Sequence, residues 1–379
     1  MRPAVKLILS LCAATIAIAA LKHLGLIDLG RMATSLRESP GWLSLGVLAQ
    51  LSVLAVTVLR YGRLLRVFGV NVRFTDLVTA NVFSVATSQF LPGSMAVMEA
   101  VRFTLMFGAQ RDNIDPAKRS AILISSVFDR LFGLLALFVM GAISGGTVLM
   151  HSVVASPLLG DARNVAMLAV VSCSVAGVVA VCILPFAARL PRMRRWVAGL
   201  RQAADCQMTG CTAGPRRTLW SAPAFVMAEV ERMLELISLE RRSIRSLALP
   251  FALSFLVSIM ASVSFFSFVA ALNARVGFAA ILASFPIITL ATLLPMGVAG
   301  VGGNQLVTAS VFAVFGVDAA LASTGSLLQT AIMFLVSTAL GLLCLPRAYT
   351  QLRGLKTHVG SDKPAISSSS VAANEPGVG

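Results

Sequence analysis

Apolar residues in this chain fall in long unbroken blocks rather than in short alternating runs. Val5–Leu21, Trp42–Leu59, Ser120–Gly141, Val165–Phe186, Leu247–Leu272 and Ala322–Leu345 each approach the ~20 residues that span a ~30 Å hydrocarbon core as helix. Backbone polar groups in lipid must pair internally, so runs of this length predict helices. The alternating ~10-residue pattern of an outer-membrane barrel is absent. Two further apolar stretches, Phe74–Phe107 and Phe278–Phe315, are each interrupted in the middle. The interruptions read Leu91-Pro92-Gly93-Ser94 and Leu294-Pro295-Met296-Gly297. Neither Pro92 nor Pro295 continues a helix without losing a hydrogen bond.

The sidedness of these segments follows from Lys and Arg in the connections. Arg60, Arg63, Arg66 and Arg73 crowd the connection after the second segment, and Arg102, Arg111, Lys118 and Arg119 precede the Ser120 segment. A long basic stretch between Arg189 and Arg245 separates two halves, and Arg347, Arg353, Lys356 and Lys363 follow the last segment. The links around His151–Arg163 and Asn273–Gly277 carry one Arg each. This asymmetry places both termini in the cytoplasm. Phe74–Phe107 then begins and ends inside, and Phe278–Phe315 begins and ends outside. Two solutions fit: re-entrant hairpins of half-helices, or two full crossings per stretch.

The two interrupted stretches match in context. Phe74 and Phe278 lie at nearly the same distance upstream of Leu91 and Leu294, and a spanning helix precedes and follows each stretch. Paired interrupted segments of opposite sidedness are the pattern of an inverted repeat around a midplane substrate site. The expected fold is therefore all-α: a polytopic integral membrane protein of about six spanning helices plus two broken or re-entrant helical hairpins in an inverted repeat. The expected organisation is one transmembrane domain over 1–352, its halves at about 42–145 and about 247–346 around a basic cytoplasmic connector at about 188–246. Val226, Val230, Met233 and Ile237 form an apolar helical face in the connector, suited either to the inner leaflet or to a solvated linker helix. The polar 353–379 tail reads as disordered.

Composition agrees. The chain is 57% hydrophobic and 12% charged, with a mean hydropathy of +0.86, against roughly 25% charged residues in a soluble domain. The formal charge of +15 lies in the connections without an RNP-type aromatic motif or zinc-finger spacing, which argues against nucleic acid and for anionic inner-leaflet lipid. Arg2 and Lys6 before the first apolar run suit a signal anchor retained as a helix better than a cleaved signal peptide. Cys12, Cys173, Cys182 and Cys344 lie within apolar segments as small hydrophobes, and Cys206 and Cys211 lack zinc-site spacing.

Ionisable residues inside apolar segments carry the chemical information, because each costs ~2.5–3.5 kcal/mol at a helix centre. Glu99 and Arg102 share a helical face just after the first break. Asp129 and Arg130 sit inside the Ser120 segment, and neighbours on a helix diverge by ~100°, so each needs a partner elsewhere. Glu99–Arg130 and Asp129–Arg102 pairs both fit. Such a cluster serves either as a structural salt-bridge network or as a pocket for a charged head group, with an Arg as phosphate ligand. Asn81, Gln89, Asn304, Gln305 and Gln329 add uncharged polar groups, and Asn304 and Gln305 open the helix after the second break, where backbone N–H groups favour an anion. His23, His151 and His358 lie outside the apolar segments, and G-x-S-x-G and H-E-x-x-H patterns are absent. No cofactor, metal or covalent catalysis is expected.

The order Gln89-Phe90-Leu91-Pro92, Glu99, Arg102, then Val127-Phe128-Asp129-Arg130-Leu131 resembles the flippase-like membrane region of lysylphosphatidylglycerol synthases. Leu294-Pro295 through Gly300, Gly302 and Gln305, followed by Phe315-Gly316-Val317, is similar to a later element of that family. The departures are Gln89 for the usual Asn, Met98 for a Gly and Gln305 for a Glu. The resemblance implies an inner-membrane, non-enzymatic translocase for a phospholipid or lipid-linked intermediate, because only a short polar tail, and no aminoacyl-transferase domain, follows Leu345. The rival readings are a scaffold for a partner membrane enzyme and a small-anion transporter. The candidate substrate-binding residues are Gln89, Pro92, Glu99, Arg102, Asp129, Arg130, Pro295, Asn304 and Gln305.

The charge asymmetry generates a direct test. A reporter fused after Arg201 should be active only as a cytoplasmic fusion, and a periplasmic signal there would overturn the topology.

Overall fold

The computed structural model describes residue 15 and residues 18–90, 94–110, 116–155, 162–187, 244–274, 276–293, 297–298 and 301–361. Pro92 and Pro295, most of the first apolar segment, the connector over 188–243 with its 226–237 stretch, and the tail beyond 361 lie outside the described residues. The chain forms α1 (Leu29–Glu38), α2 (Pro40–Val67), α3 (Phe74–Ser88), α4 (Ser94–Ala109), α5 (Pro116–Ala155) and α6 (Ala162–Ala187) in its first part. After the connector come α7 (Ile244–Ala271), α8 (Phe278–Leu293), the strands β1 (Gly297–Val298) and β2 (Val301–Gly302), α9 (Gly303–Val314) and α10 (Ala319–Ser361). The two strands pair as a small antiparallel hairpin inside the second interruption.

Local chemistry explains the boundaries. Pro40 opens α2, where its missing N–H costs nothing, and Gly69 at φ +79° turns the chain after it. Asp318 accepts the N–H groups of Ala320 (2.7 Å) and Leu321 (3.2 Å) at the start of α10, a side-chain cap on donors that lack helical partners. Among the described residues, four stretches are long and apolar enough to cross a membrane: Pro40–Val67, Lys118–His151, Arg245–Ala271 and Ala319–Arg353. The Val165–Phe186 segment forms the 26-residue α6. By contrast α3, α4, α8 and α9 have 15, 16, 16 and 12 residues. At ~1.5 Å rise per residue none of them alone spans a ~30 Å core. Leu48, Ile143, Leu335, Leu342 and Leu343 stand exposed on the long helices, an outward apolar surface suited to lipid. The protein is a polytopic helical membrane protein.

Three helix pairs set the architecture. Along α2 and α7, Gly46 meets Phe268 and Arg60 meets Ser254, while the Ser264 hydroxyl donates to the Gly46 carbonyl at 2.9 Å. Numbers rise on one helix as they fall on the other, so the pair is antiparallel. The same holds for α3 on α10, where Asp76 meets Arg347, Ala86 meets Gly341 and Phe90 meets Phe334. It holds again for α8 on α5, where Pro286 meets Gly141 and Ala283 meets Gly145. A glycine stands at each crossing, as close backbone approach in membranes requires. The ends of α2 and α10 and the starts of α3, α5 and α7 therefore share one face of the molecule.

Two of the apolar cores among the described residues sit within this frame. The first packs Tyr61, Leu65, Leu77, Leu105 and Ile122 with Ala348, and the second packs Phe265, Val269, Ile281, Phe312 and Ala322. Tyr61, Leu65 and Leu77 precede Phe265, Val269 and Ile281 by one constant interval along the chain. Ala348 of α10 joins the first core, and α10 runs on to Ser361, into the stretch expected from sequence to be a polar tail. Just before that stretch α10 is docked on α3: Arg347 Nε donates to Asp76 at 2.9 Å and Gln351 Nε2 donates to the same oxygen at 3.1 Å.

The glycine crossings are testable. A Cβ on Gly341 would overlap Ala86, whereas Gly146 has nothing within 4 Å. Gly341→Leu should destabilise the detergent-purified protein by about 1–3 kcal/mol or more through overpacking, and Gly146→Leu should leave its melting temperature unchanged.

Candidate functional site

Five ionisable side chains from α2, α4 and α5 meet where sequence spacing leaves each without a partner on its own helix, Glu99 and Arg102 excepted. At the centre, Asp129 is 1% exposed and accepts Arg60 Nε at 2.7 Å, with Arg102 Nη1 at 3.6 Å from its other oxygen. Arg102, with a side chain 3% exposed, donates from Nη2 to Glu99 Oε2 at 2.6 Å. Its Nη1 also reaches Asn81 Oδ1 at 3.4 Å, and its Nη2 bonds the Ser126 hydroxyl. Ser126 in turn donates to Glu99 Oε2 at 2.6 Å. Arg130 closes the chain, giving Nε to Glu99 Oε1 at 2.8 Å and bonding it again through Nη2.

The cluster thus alternates charge from Arg60 through Asp129, Arg102 and Glu99 to Arg130, and carries one more guanidinium than carboxylates. Alternation is what makes the burial tolerable, since a lone buried charge is far more costly than a paired one. Exposure is graded along it. Arg60 and Arg102 are enclosed, whereas the Glu99 and Arg130 side chains are 20% and 32% exposed. Arg102 also lies over the Tyr61 ring at 4.2 Å, a cation–π contact in a desolvated place. The Tyr61 hydroxyl and Arg102 Nε are buried without hydrogen-bond partners among the described residues.

Both ion pairs expected from sequence are present, Glu99–Arg130 and Asp129–Arg102. The sequence reading missed Arg60, which it assigned to the basic connection. Helix α2 continues two turns beyond Leu59, and the Arg60 side chain turns inward while Arg63 and Arg66 remain exposed. The signal was available: Tyr61, Leu64 and Leu65 continue the apolar helical spacing past Arg60. Ser126 and Tyr61 were missed too, being unremarkable in a membrane helix until packed beside Arg102.

The remaining candidates lie around α10. Gln89 ends α3, half-buried, with its N–H on the Ala86 carbonyl at 3.3 Å. Phe90 beside it meets the Phe334 ring of α10 at 5.1 Å. After the second interruption, Asn304 Nδ2 lies 3.5 Å from Ser326 Oγ, and Gln305 Nε2 lies 3.5 Å from Thr330 Oγ1. The edges of both interruptions therefore abut neighbouring turns of α10. Gln305 Oε1 accepts the Gly302 N–H at 2.7 Å, so a side chain of α9 caps its own N-terminus. The structure does not join Asn304 or Gln305 to the ionic cluster by any hydrogen bond among the described residues. Pro92 and Pro295 lie outside those residues.

An interrupted helical membrane protein with a buried, alternating ionic cluster behind its first interruption is the class this geometry defines. The chain belongs to the family described as the lysylphosphatidylglycerol synthase TM region, which matches residues 4–341. No curated protein and no solved structure matches the chain.

Graded burial predicts graded stability. Arg102→Met leaves Glu99 short of one cation and Asp129 dependent on Arg60 alone, and should cost about 3–5 kcal/mol. Arg130→Met, at the open rim, should cost about 1 kcal/mol or less. Equal melting temperatures for the two variants would contradict the assignment of core and rim.

Proposed function

We propose that this protein moves a phosphate-bearing lipid, a phospholipid or a lipid-linked intermediate, across the inner membrane without chemically altering it. The observation that carries the reading is the Glu99–Arg130 pair: a guanidinium at an open rim, next to an interrupted helix, backed by enclosed charges. A planar guanidinium suits a phosphate, which accepts two parallel N–H bonds. Glu99 keeps Arg102 as a second cation when Arg130 turns to a ligand. Membership of a family named for the membrane region of a lipid-modifying synthase supports a lipid substrate.

An inverted repeat is part of the same reading. Its support is the antiparallel pairing of α2 with α7, and the matched docking of α3 on α10 and of α8 on α5. The contacts repeat in kind: Glu99 meets Ser126 and Arg130 of α5, while Asn304 and Gln305 meet Ser326 and Thr330 of α10. Ser126 and Ser326, Arg130 and Thr330, and Gly141 and Gly341 stand at one constant interval. Related broken segments facing a central site suit alternating access. The repeat is chemically unequal, with ions in the first half and amides and hydroxyls in the second. The shared face bears exposed Arg63, Arg66, Arg73, Lys118, Arg119, Arg245, Arg347 and Arg353. These favour the anionic cytoplasmic leaflet and a cytoplasmic position for the C-terminal end of α10.

The test is transbilayer movement of a fluorescent phospholipid in reconstituted vesicles. The protein should speed it over protein-free vesicles, and Arg130→Ala should lower the accelerated rate by about tenfold, the equivalent of one lost charged contact. Acceleration unchanged in Arg130→Ala, or absent in the wild type, would reject the reading.

A further inference from the structure

The cluster contains a residue whose place is explained neither by the rim nor by the helix that carries it. Arg60 has a side chain 6% exposed, against 32% for Arg130 at the rim, and belongs to α2, whose further contribution to the site among the described residues is the Tyr61 ring. It binds Asp129 Oδ1 through Nε at 2.7 Å and donates from Nη1 to Ser254 Oγ on α7 at 3.2 Å. Gly133 on α5 packs beside it, where a Cβ would lie in ordinary contact at 3.5 Å from Nη1. The position in α7 at the interval relating the two cores is Ser264, which also bonds across the same helix pair, to Gly46. A small hydroxyl therefore suffices to hold α2 to α7, and the guanidinium at Arg60 needs a further reason.

Charge supplies that reason. Without Arg60, the ion-pair partner left to the enclosed Asp129 among the described residues is Arg102, and Arg102 also holds Glu99. A carboxylate 1% exposed outcompetes one 20% exposed for a shared cation, because the deeper charge has less water to fall back on. Arg102 would move towards Asp129, and Glu99 would be left with Arg130 alone. We propose that Arg60 is a positioning residue of the head-group site: by neutralising Asp129 it keeps Arg102 on Glu99, and so leaves Arg130 available to a lipid phosphate. This rests on the head-group reading above. Through Ser254 it also ties α7, a helix of the second half, to the ionic cluster of the first.

The experiment is equilibrium binding of short-chain phosphatidic acid to the detergent-purified, folded full chain. Diacylglycerol and inorganic phosphate are the comparison ligands, and melting temperature is read on the same samples. Arg60→Met should weaken phosphatidic acid binding at least about tenfold, and Arg60→Met/Asp129→Asn should restore it to within about threefold. The double variant removes both charges and so preserves the excess of one cation. A purely structural Arg60 would change melting temperature and leave the binding of folded protein alone. Wild-type binding in folded Arg60→Met, or a double variant as weak as the single one, overturns the proposal. Should Arg60→Met not fold, the double variant decides by itself, with recovery supporting the proposal and loss overturning it. Full binding in Arg130→Ala sinks the head-group reading itself, an outcome distinct from failure at Arg60. Inorganic phosphate bound as tightly as phosphatidic acid overturns the lipid as ligand.

Discussion

Asp129 sets the conditions for the rest of the site. Its carboxylate is enclosed between two guanidiniums, Arg60 at 2.7 Å and Arg102 at 3.6 Å, in a place with almost no exposure. A charge so placed has no water to exchange for its partners, so the helices carrying those partners are held with it. Arg60 brings α2, Arg102 brings α4, and Asp129 itself stands on α5. Asn81 on α3 and Ser254 on α7 then satisfy donors left over on the two arginines. One buried carboxylate thereby fixes the relative position of five helices.

The lipid environment explains why this joining is ionic rather than apolar. Between helices surrounded by hydrocarbon, apolar contact gives little preference for one partner over another, and packing of small residues does most of the positioning. The glycine crossings at Gly46, Gly141 and Gly341 serve that purpose on the three antiparallel pairs. They allow close approach but say little about rotation about the helix axis. Alternating charges do, because a one-residue turn of α5 would take Asp129 away from Arg60 and Arg102.

The two halves divide the chemistry unequally. The first has carboxylates and guanidiniums where helix α4 meets α5, and the second has amides and hydroxyls where α9 meets α10. Gln305 turns its carboxamide oxygen to the start of its own helix at Gly302. Among the described residues, the buried ion pairs beside an interruption are those of the first half. On the proposed reading, the second half supplies a matching frame and uncharged polar contacts.

Much of this was legible without coordinates. Block length gave the long helices, Pro and small residues gave the two interruptions, and the energetic cost of charge in lipid singled out Glu99, Arg102, Asp129 and Arg130. Helical geometry even gave both ion pairs, since adjacent Asp129 and Arg130 point different ways and need separate partners. Arg60 was legible only as a position within a helix that Tyr61, Leu64 and Leu65 carry past the apolar block, not as a member of the site. By composition it is one of several arginines past an apolar block, and only the packing of α2 against α5 and α7 turns it inward while Arg63 and Arg66 stay outside. The docking of the polar end of α10 was hidden for a similar reason: Arg347 and Gln351 read as residues past an apolar block until they meet Asp76 some 270 positions earlier in the chain. Residue order alone carries what lipid demands of each segment separately: which residues can span, where a helix must stop, and which charges need partners. The tertiary structure alone decided which partner each charge receives, because that depends on the rotation and depth of helices far apart in the chain, set by packing across the whole molecule.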